Sequence, residues 1–183
     1  MSLALNGPAL WYATRATGLV TLLLLTAGML LGIITAGRFA SEKWPRFLTV
    51  GLRRNTTLLV LVFLALHVGT TVVDTYTSIP ATAALIPFAS AYKAPWLGLG
   101  AVAVDLLAAV LVTSLLRGKL GLRAWRTLHW LAYACWPVAL AHALGTGTDR
   151  RTLWVLAGTL GCIAAVAAAA TWRIAMASRA GAR

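Results

Sequence analysis

His67, His129 and His142 are the only imidazoles in the 183-residue chain, and each falls inside an apolar stretch rather than a connecting loop. A histidine held in hydrocarbon is costly, so it marks either a functional site or a satisfied interior polar group; with all three so placed, the balance moves towards a site. The helices carrying His67 and His142 run in the same direction by the chain's order of spans, so their depths can be compared. At 1.5 Å per residue, His67 lies about 20 Å along its helix from Arg53, and His142 lies about 20 Å beyond His129. His67 and His142 are therefore expected at one level. Two imidazoles facing each other from neighbouring helices are what a six-coordinate b-type haem needs, one on each axial face. Zinc would want a third or fourth ligand, and no Cys, Asp or Glu is placed to complete such a set.

His129 lies towards the opposite end of its span, and the residue matching it on the second helix is Arg53, which stays protonated and offers a metal no lone pair. A second haem at His129 would lack its ordinary partner. It would be absent, five-coordinate or ligated by another group, and a five-coordinate haem could react directly with a small molecule such as oxygen. Thirteen residues at about 100° each leave His129 and His142 roughly 140° apart on an ideal helix. Pro137, between them, is expected to kink or rewind the helix and bring both towards one interior. Arg15 fits either a haem propionate or the membrane interface, to which its guanidinium can snorkel. Asp105, the only acid well inside a span, suits a pair with Arg15, a proton path, or a protonated hydrogen-bonded state. Trp11, Trp96, Trp154 and Trp172 fall near span ends as an aromatic belt, whereas Trp130 and Trp136 either flank a porphyrin or fill the core.

The elements that must carry these groups are membrane helices. The sequence is 60% hydrophobic and 11% charged, far from the charged share of about 25% in soluble domains. A bilayer crossing takes about 20 apolar residues, and runs near 9–36, 49–74, 96–116, 124–146 and 152–176 supply five. The expected fold is all-α, a five-helix membrane bundle forming one domain over 1–183, with no soluble catalytic or nucleotide-binding part. The net charge of +12 follows the loops rather than a nucleic-acid surface. Arg38, Lys43, Arg46, Arg53, Arg54, Arg117, Lys119, Arg123, Arg126, Arg173, Arg179 and Arg183 fall on one side, with Arg15, Lys93, Arg150 and Arg151 on the other. The positive-inside rule then puts the N-terminus outside and the C-terminus in the cytoplasm of a bacterial-type plasma membrane, the first run being a retained helix rather than a signal peptide.

Other features read more simply. The 75–96 connection, with Pro80, Pro87 and Pro95, is an outer surface loop or a lid. The Ala- and Gly-rich last helix suits close packing inside the bundle or against a partner, and "GMLLG" at 28–32 is a weak small-residue packing match. Cys135 and Cys162 lack CxxC spacing and read as core residues, excluding a thioredoxin-type centre and covalently attached haem.

The segments "WRTLHWLAYACWPVALAH", "TSLLRGKLG", "LRRNTTLLVLVFLALH" and "WYATRATGLV" together resemble the ferric reductase-like transmembrane domain. That family includes the membrane parts of NADPH oxidases and ferric reductases, and the haem-binding subunit of the bacterial methionine sulfoxide reductase system. The resemblance covers nearly the whole chain. It implies b-type haem on two helices and electron transfer across or within the membrane, with His67 and His142 as outer ligands and His129 as an inner one. Arg53 stands, in "LRRN", where many members have the remaining histidine, which puts a second haem in doubt. Many members also have six helices, and some carry flavin and nicotinamide domains. Here electrons would come from a quinol or a separate reductase, flavin residing only on a partner, and would pass to an extracytoplasmic acceptor. The alternatives are a stand-alone ferric-chelate reductase and a cofactor-free membrane transporter or assembly protein. Membrane lipid and a separate donor or acceptor protein are the expected partners, with no nucleic acid; the oligomeric state is left open.

Overall fold

In a computed structural model the chain is described over residues 8–37, 45–75, 77–149 and 152–181. Among these it is all helical, with no strand. Helices α1 (Pro8–Ala36) and α2 (Arg46–Val73) are followed by a 3-10 turn at Ala81–Ala84. Then come α3 (Ala94–Leu115), α4 (Arg117–Leu120), α5 (Leu122–His129), α6 (Leu131–Thr146) and α7 (Leu153–Gly181). Four helices are long and apolar enough to cross a membrane: Ala9–Ala36, Arg46–Val73, Ala94–Leu115 and Leu153–Arg179. Of the basic loop residues, Arg38, Lys43, Arg150, Arg151 and Arg183 lie outside the described residues.

The run expected as a fourth span at 124–146 is divided, and the interruption is not at proline. Helix α6 continues through Pro137, and the break falls at Trp130, between α5 and α6. Composition explains the division. Helix α5 puts Leu122, Trp125 and Leu128 on one side and Arg123 and Arg126 on another, a pattern suited to an interface rather than a hydrocarbon core. Helix α6 carries no such charge. Its 16 residues are about 24 Å of helix at 1.5 Å per residue.

The chain forms two compact units. The first takes the start of α1 to Leu22 and the chain from Phe63 to Gly147. Within it α3 packs along α6, Cys135 Sγ donates to the Ala103 carbonyl at 3.4 Å, and Trp136 is buried. The first turns of α1 meet the end of α2, where Thr14 Oγ1 donates to Thr70 Oγ1 at 2.9 Å. The connection between α2 and α3 is folded rather than loose. Ile79, Ala83 and Ser90 are buried, and Ser78, Phe88 and Lys93 adopt left-handed φ values of 46°, 65° and 42°, each costing on the order of 1 kcal/mol for a residue with a Cβ. Leu85, Ile86 and Phe88 leave apolar surface exposed.

Phe88 nevertheless closes onto α3, its ring occupying the space a side chain at Gly98 would need. Gly98→Ala is thus expected to lower stability by about 1–3 kcal/mol, as overpacking does. The thermal melting of the detergent-solubilised variant should fall, and Phe88→Ala in the same chain should return part of the loss. An unchanged melting temperature would remove this packing role.

The second unit comprises Leu23–Val62 and Thr148–Arg183. Here the ring of Trp172 lies 3.1 Å from where a Cβ on Gly37 would stand, and Gly28 faces the Thr56 methyl. Of the small-residue match at 28–32, then, Gly28 meets a neighbouring helix, while Gly32 has open space around it. Helix α7 buries Thr159 and Cys162 but leaves much of its Ala- and Gly-rich surface exposed, with nothing near Gly158 or Gly161. Both cysteines are free and buried.

Candidate functional site

His67 sits on α2 and His142 on α6, and the structure brings their rings together with centroids 6.2 Å apart and planes at 81°. Each ring is held by the backbone of another helix. His67 Nδ1 lies 2.9 Å from the Thr14 carbonyl of α1, and His142 Nδ1 lies 2.8 Å from the Trp96 carbonyl of α3. A carbonyl can only accept, so in both contacts Nδ1 carries the proton and donates. In the neutral ring Nε2 then keeps its lone pair, the form in which an imidazole binds a metal. The bonds these two rings make to their neighbouring helices both run from Nδ1. Each Nδ1 bond is worth about 0.5–1.5 kcal/mol net.

Glycines admit both rings. A Cβ on Gly18 would stand 2.9 Å from His67 Cε1, and one on Gly100 would stand 2.6 Å from His142 Cε1. Hydroxyls brace the backbone behind them, Thr71 Oγ1 donating to the His67 carbonyl at 2.6 Å and Thr146 Oγ1 to the His142 carbonyl at 2.8 Å. Trp96 crosses α6 at Gly145, where its ring fills the space of a side chain. Lys93 Nζ donates to the Thr146 carbonyl at 3.2 Å, which places a cation at the C-terminal end of α6, where the helix dipole favours one.

The spacing of the pair suits one metal between two rings. Metal to imidazole-nitrogen bonds of about 2.0 Å, with about 1 Å more from each nitrogen to its ring centre, separate trans ring centroids by about 6 Å. Among the described residues no group of three or more His, Cys, Asp or Glu forms a metal site, which disfavours a zinc-type centre and leaves a two-ligand arrangement. The donor set and spacing therefore fit the axial positions of a haem.

The remaining candidates lie as follows. Arg15 is half-buried on α1, next to Thr14, with its guanidinium carbon 5.3 Å from the centre of the Trp11 ring. His129 is not brought to the pair. It ends α5, with its ring stacked on Trp125 at 4.9 Å while Arg117 covers the Trp125 ring at 4.6 Å. Arg53 is half-buried on the part of α2 that belongs to the second unit, and its carbonyl accepts the Thr57 hydroxyl at 2.9 Å. Asp105 lies well inside the apolar span of α3, as expected. It is exposed on α3 and makes no ion pair with Arg15 among the described residues. Trp130 is 69% exposed and Trp136 is buried, so of the two only Trp136 fills the core.

Sequence reasoning missed the Thr14 and Trp96 carbonyls, Gly18 and Gly100, because a backbone acceptor has no residue-type signature and a glycine's use depends on what approaches it. Comparisons with protein-family models, with curated proteins and with solved structures returned no match.

Proposed function

We propose that the protein is a b-type haem-binding membrane electron-transfer subunit. In this reading it takes electrons from a quinol or a separate reductase and delivers them to an extracytoplasmic acceptor or partner. One observation carries the reading: two imidazoles from different helices lie 6.2 Å apart, each with Nδ1 tied to a carbonyl, which leaves Nε2 of the neutral ring to bind. Haem iron, when bound, supplies one-electron oxidation and reduction, chemistry that belongs to the cofactor.

The chain's own residues would do the rest. His67 and His142 would hold the haem iron, their Nδ1 bonds fixing tautomer and ring orientation and raising ligand basicity. Arg15 would meet a propionate by a charge-assisted bond. The apolar helices would exclude water and hold the potential against drift with solvent. In the membrane, α6 serves as the fifth crossing beside the four longer helices, with α5 lying at the cytoplasmic interface. The N-terminus is then outside and the C-terminus inside, the arrangement that the basic residues of α4, α5 and the end of α7 favour. The resemblance to the ferric reductase-like transmembrane domain supports the same cofactor and a plasma-membrane location. With Arg53 unable to ligate iron, one haem per chain is the expected content.

A reduced-minus-oxidised absorbance spectrum of the purified protein, with haem quantified as its pyridine complex, tests this directly. One b-type haem per chain with low-spin bands supports the reading. Two haems would mean that an inner site exists despite Arg53, and a colourless protein that takes up no added haem would overturn the electron-transfer assignment.

A further inference from the structure

The two histidine mounts are built alike. On α1, the Thr14 carbonyl accepts His67 Nδ1, and Gly18, four residues later, gives up the space into which the ring projects. On α3, the Trp96 carbonyl accepts His142 Nδ1, and Gly100, again four residues later, does the same. In both cases the histidine arrives on another helix and is followed four residues on by a threonine, Thr71 or Thr146, whose hydroxyl bonds back to the histidine carbonyl.

Helix geometry explains the spacing. A side chain on an α-helix leans towards the N-terminus, so the residue at i+4 covers the carbonyl of residue i. That carbonyl already accepts the i+4 amide but has a second lone pair; at Thr14 the Thr17 hydroxyl reaches the same oxygen only at 3.2 Å, its shorter bond going to the Ala13 carbonyl at 2.7 Å. With glycine at i+4 the second lone pair is uncovered, and a group from a neighbouring helix can reach it.

From this recurrence we infer that Gly18 and Gly100 are positioning residues. Each opens the carbonyl four residues before it, so that one helix fixes its neighbour's imidazole with the proton on Nδ1 and Nε2 free for a common ligand. The site is then two copies of one helix-pair device, α1 with α2 and α3 with α6, and its use for haem rests on the function proposed above. The two mounts are not equally tight. The Gly100 position is the closer to its ring, at 2.6 Å against 2.9 Å, so a methyl there displaces its histidine further.

The experiment is nitrogen NMR of the whole chain, labelled at histidine and reconstituted in lipid nanodiscs, on the wild type and on Gly18→Ala, Gly100→Ala and Gly69→Ala. Gly69 has nothing within 4 Å of its Cβ position and serves as the control. In the wild type, His67 and His142 should both show a protonated, hydrogen-bonded Nδ1 and an unprotonated Nε2. Gly18→Ala should disturb only the His67 signal, Gly100→Ala only the His142 signal and by more, and Gly69→Ala neither.

In haem-loaded protein the loss of an Nδ1 bond weakens the imidazole as a donor to iron. The ferrous to ferric ratio at fixed poise should rise by about tenfold, which is about 59 mV for a one-electron couple. A wild-type spectrum with Nδ1 unprotonated, or Gly18→Ala and Gly100→Ala spectra matching wild type, would overturn the inference, and the first of these needs no variant to fold. Tautomers as expected in a protein that binds no haem would uphold the mounts and sink the haem reading alone.

Discussion

His67→Ala and His142→Ala are each expected to lower haem affinity by more than about a hundredfold, beyond the 10- to 100-fold that loss of an outer-shell partner costs. Either change would leave a single imidazole of the pair to hold the iron. His129→Ala should leave the haem in place, because His129 ends α5 against Trp125 rather than joining the pair. The readout is haem per chain together with the low-spin electron paramagnetic resonance signal, on variants whose helix content and elution volume match wild type. Equal retention of haem in all three variants would exclude the pair as the axial ligands. Loss through His129 alone would move the site to α5.

Arg15→Gln is expected to weaken haem retention by about tenfold or more while keeping the bis-histidine spectrum. A hydrogen bond to a charged group contributes about 1.5–3 kcal/mol, and about 1.4 kcal/mol is a factor of ten in affinity. Glutamine keeps much of the length and the hydrogen-bonding capacity but removes the charge, so the loss reports the ionic part. Arg15→Lys should keep part of the retention, since a point charge replaces the planar fork. The measurement is the rate of haem transfer to an excess of a haem-binding acceptor protein. Identical rates in Arg15→Gln and wild type would confine Arg15 to its stacking on Trp11.

Read together, these expectations separate ligands from their supports. The histidines decide whether a haem binds, Arg15 decides how firmly, and the glycines decide how the rings are presented. A protein that changes in only one of these respects locates the fault on a particular helix.

How much was legible beforehand follows from what each signal depends on. Apolar runs identify long helices because each crossing must be apolar by itself, and α1, α2, α3 and α7 lie within a few residues of their expected bounds. The fourth run was harder, since its apolar residues continue from α5 into α6 while the charge pattern changes. Helix α6 runs through Pro137 unbroken, and the interruption comes at Trp130. A proline removes one backbone bond, which a helix in a membrane protein can replace from its surroundings. The amphipathic α5 instead has its basic residues drawn one way and its apolar residues another. Asp105 stood out as an acid within an apolar run, but composition does not say which way a helix is turned, and it faces outward.

By itself, then, the sequence determined an all-helical chain with membrane-length spans and placed His67 and His142 within apolar segments, because these follow from residue type and from spacing along one helix. Spacing had already set His67 and His142 at one level; only the tertiary structure decided that their rings meet while His129 stacks on Trp125. It also decided that the pair is gripped by the carbonyls of Thr14 and Trp96. Those choices depend on which helix faces approach one another, and two helices close enough to exchange a backbone hydrogen bond leave no periodic trace beyond a glycine whose purpose appears when its neighbour arrives.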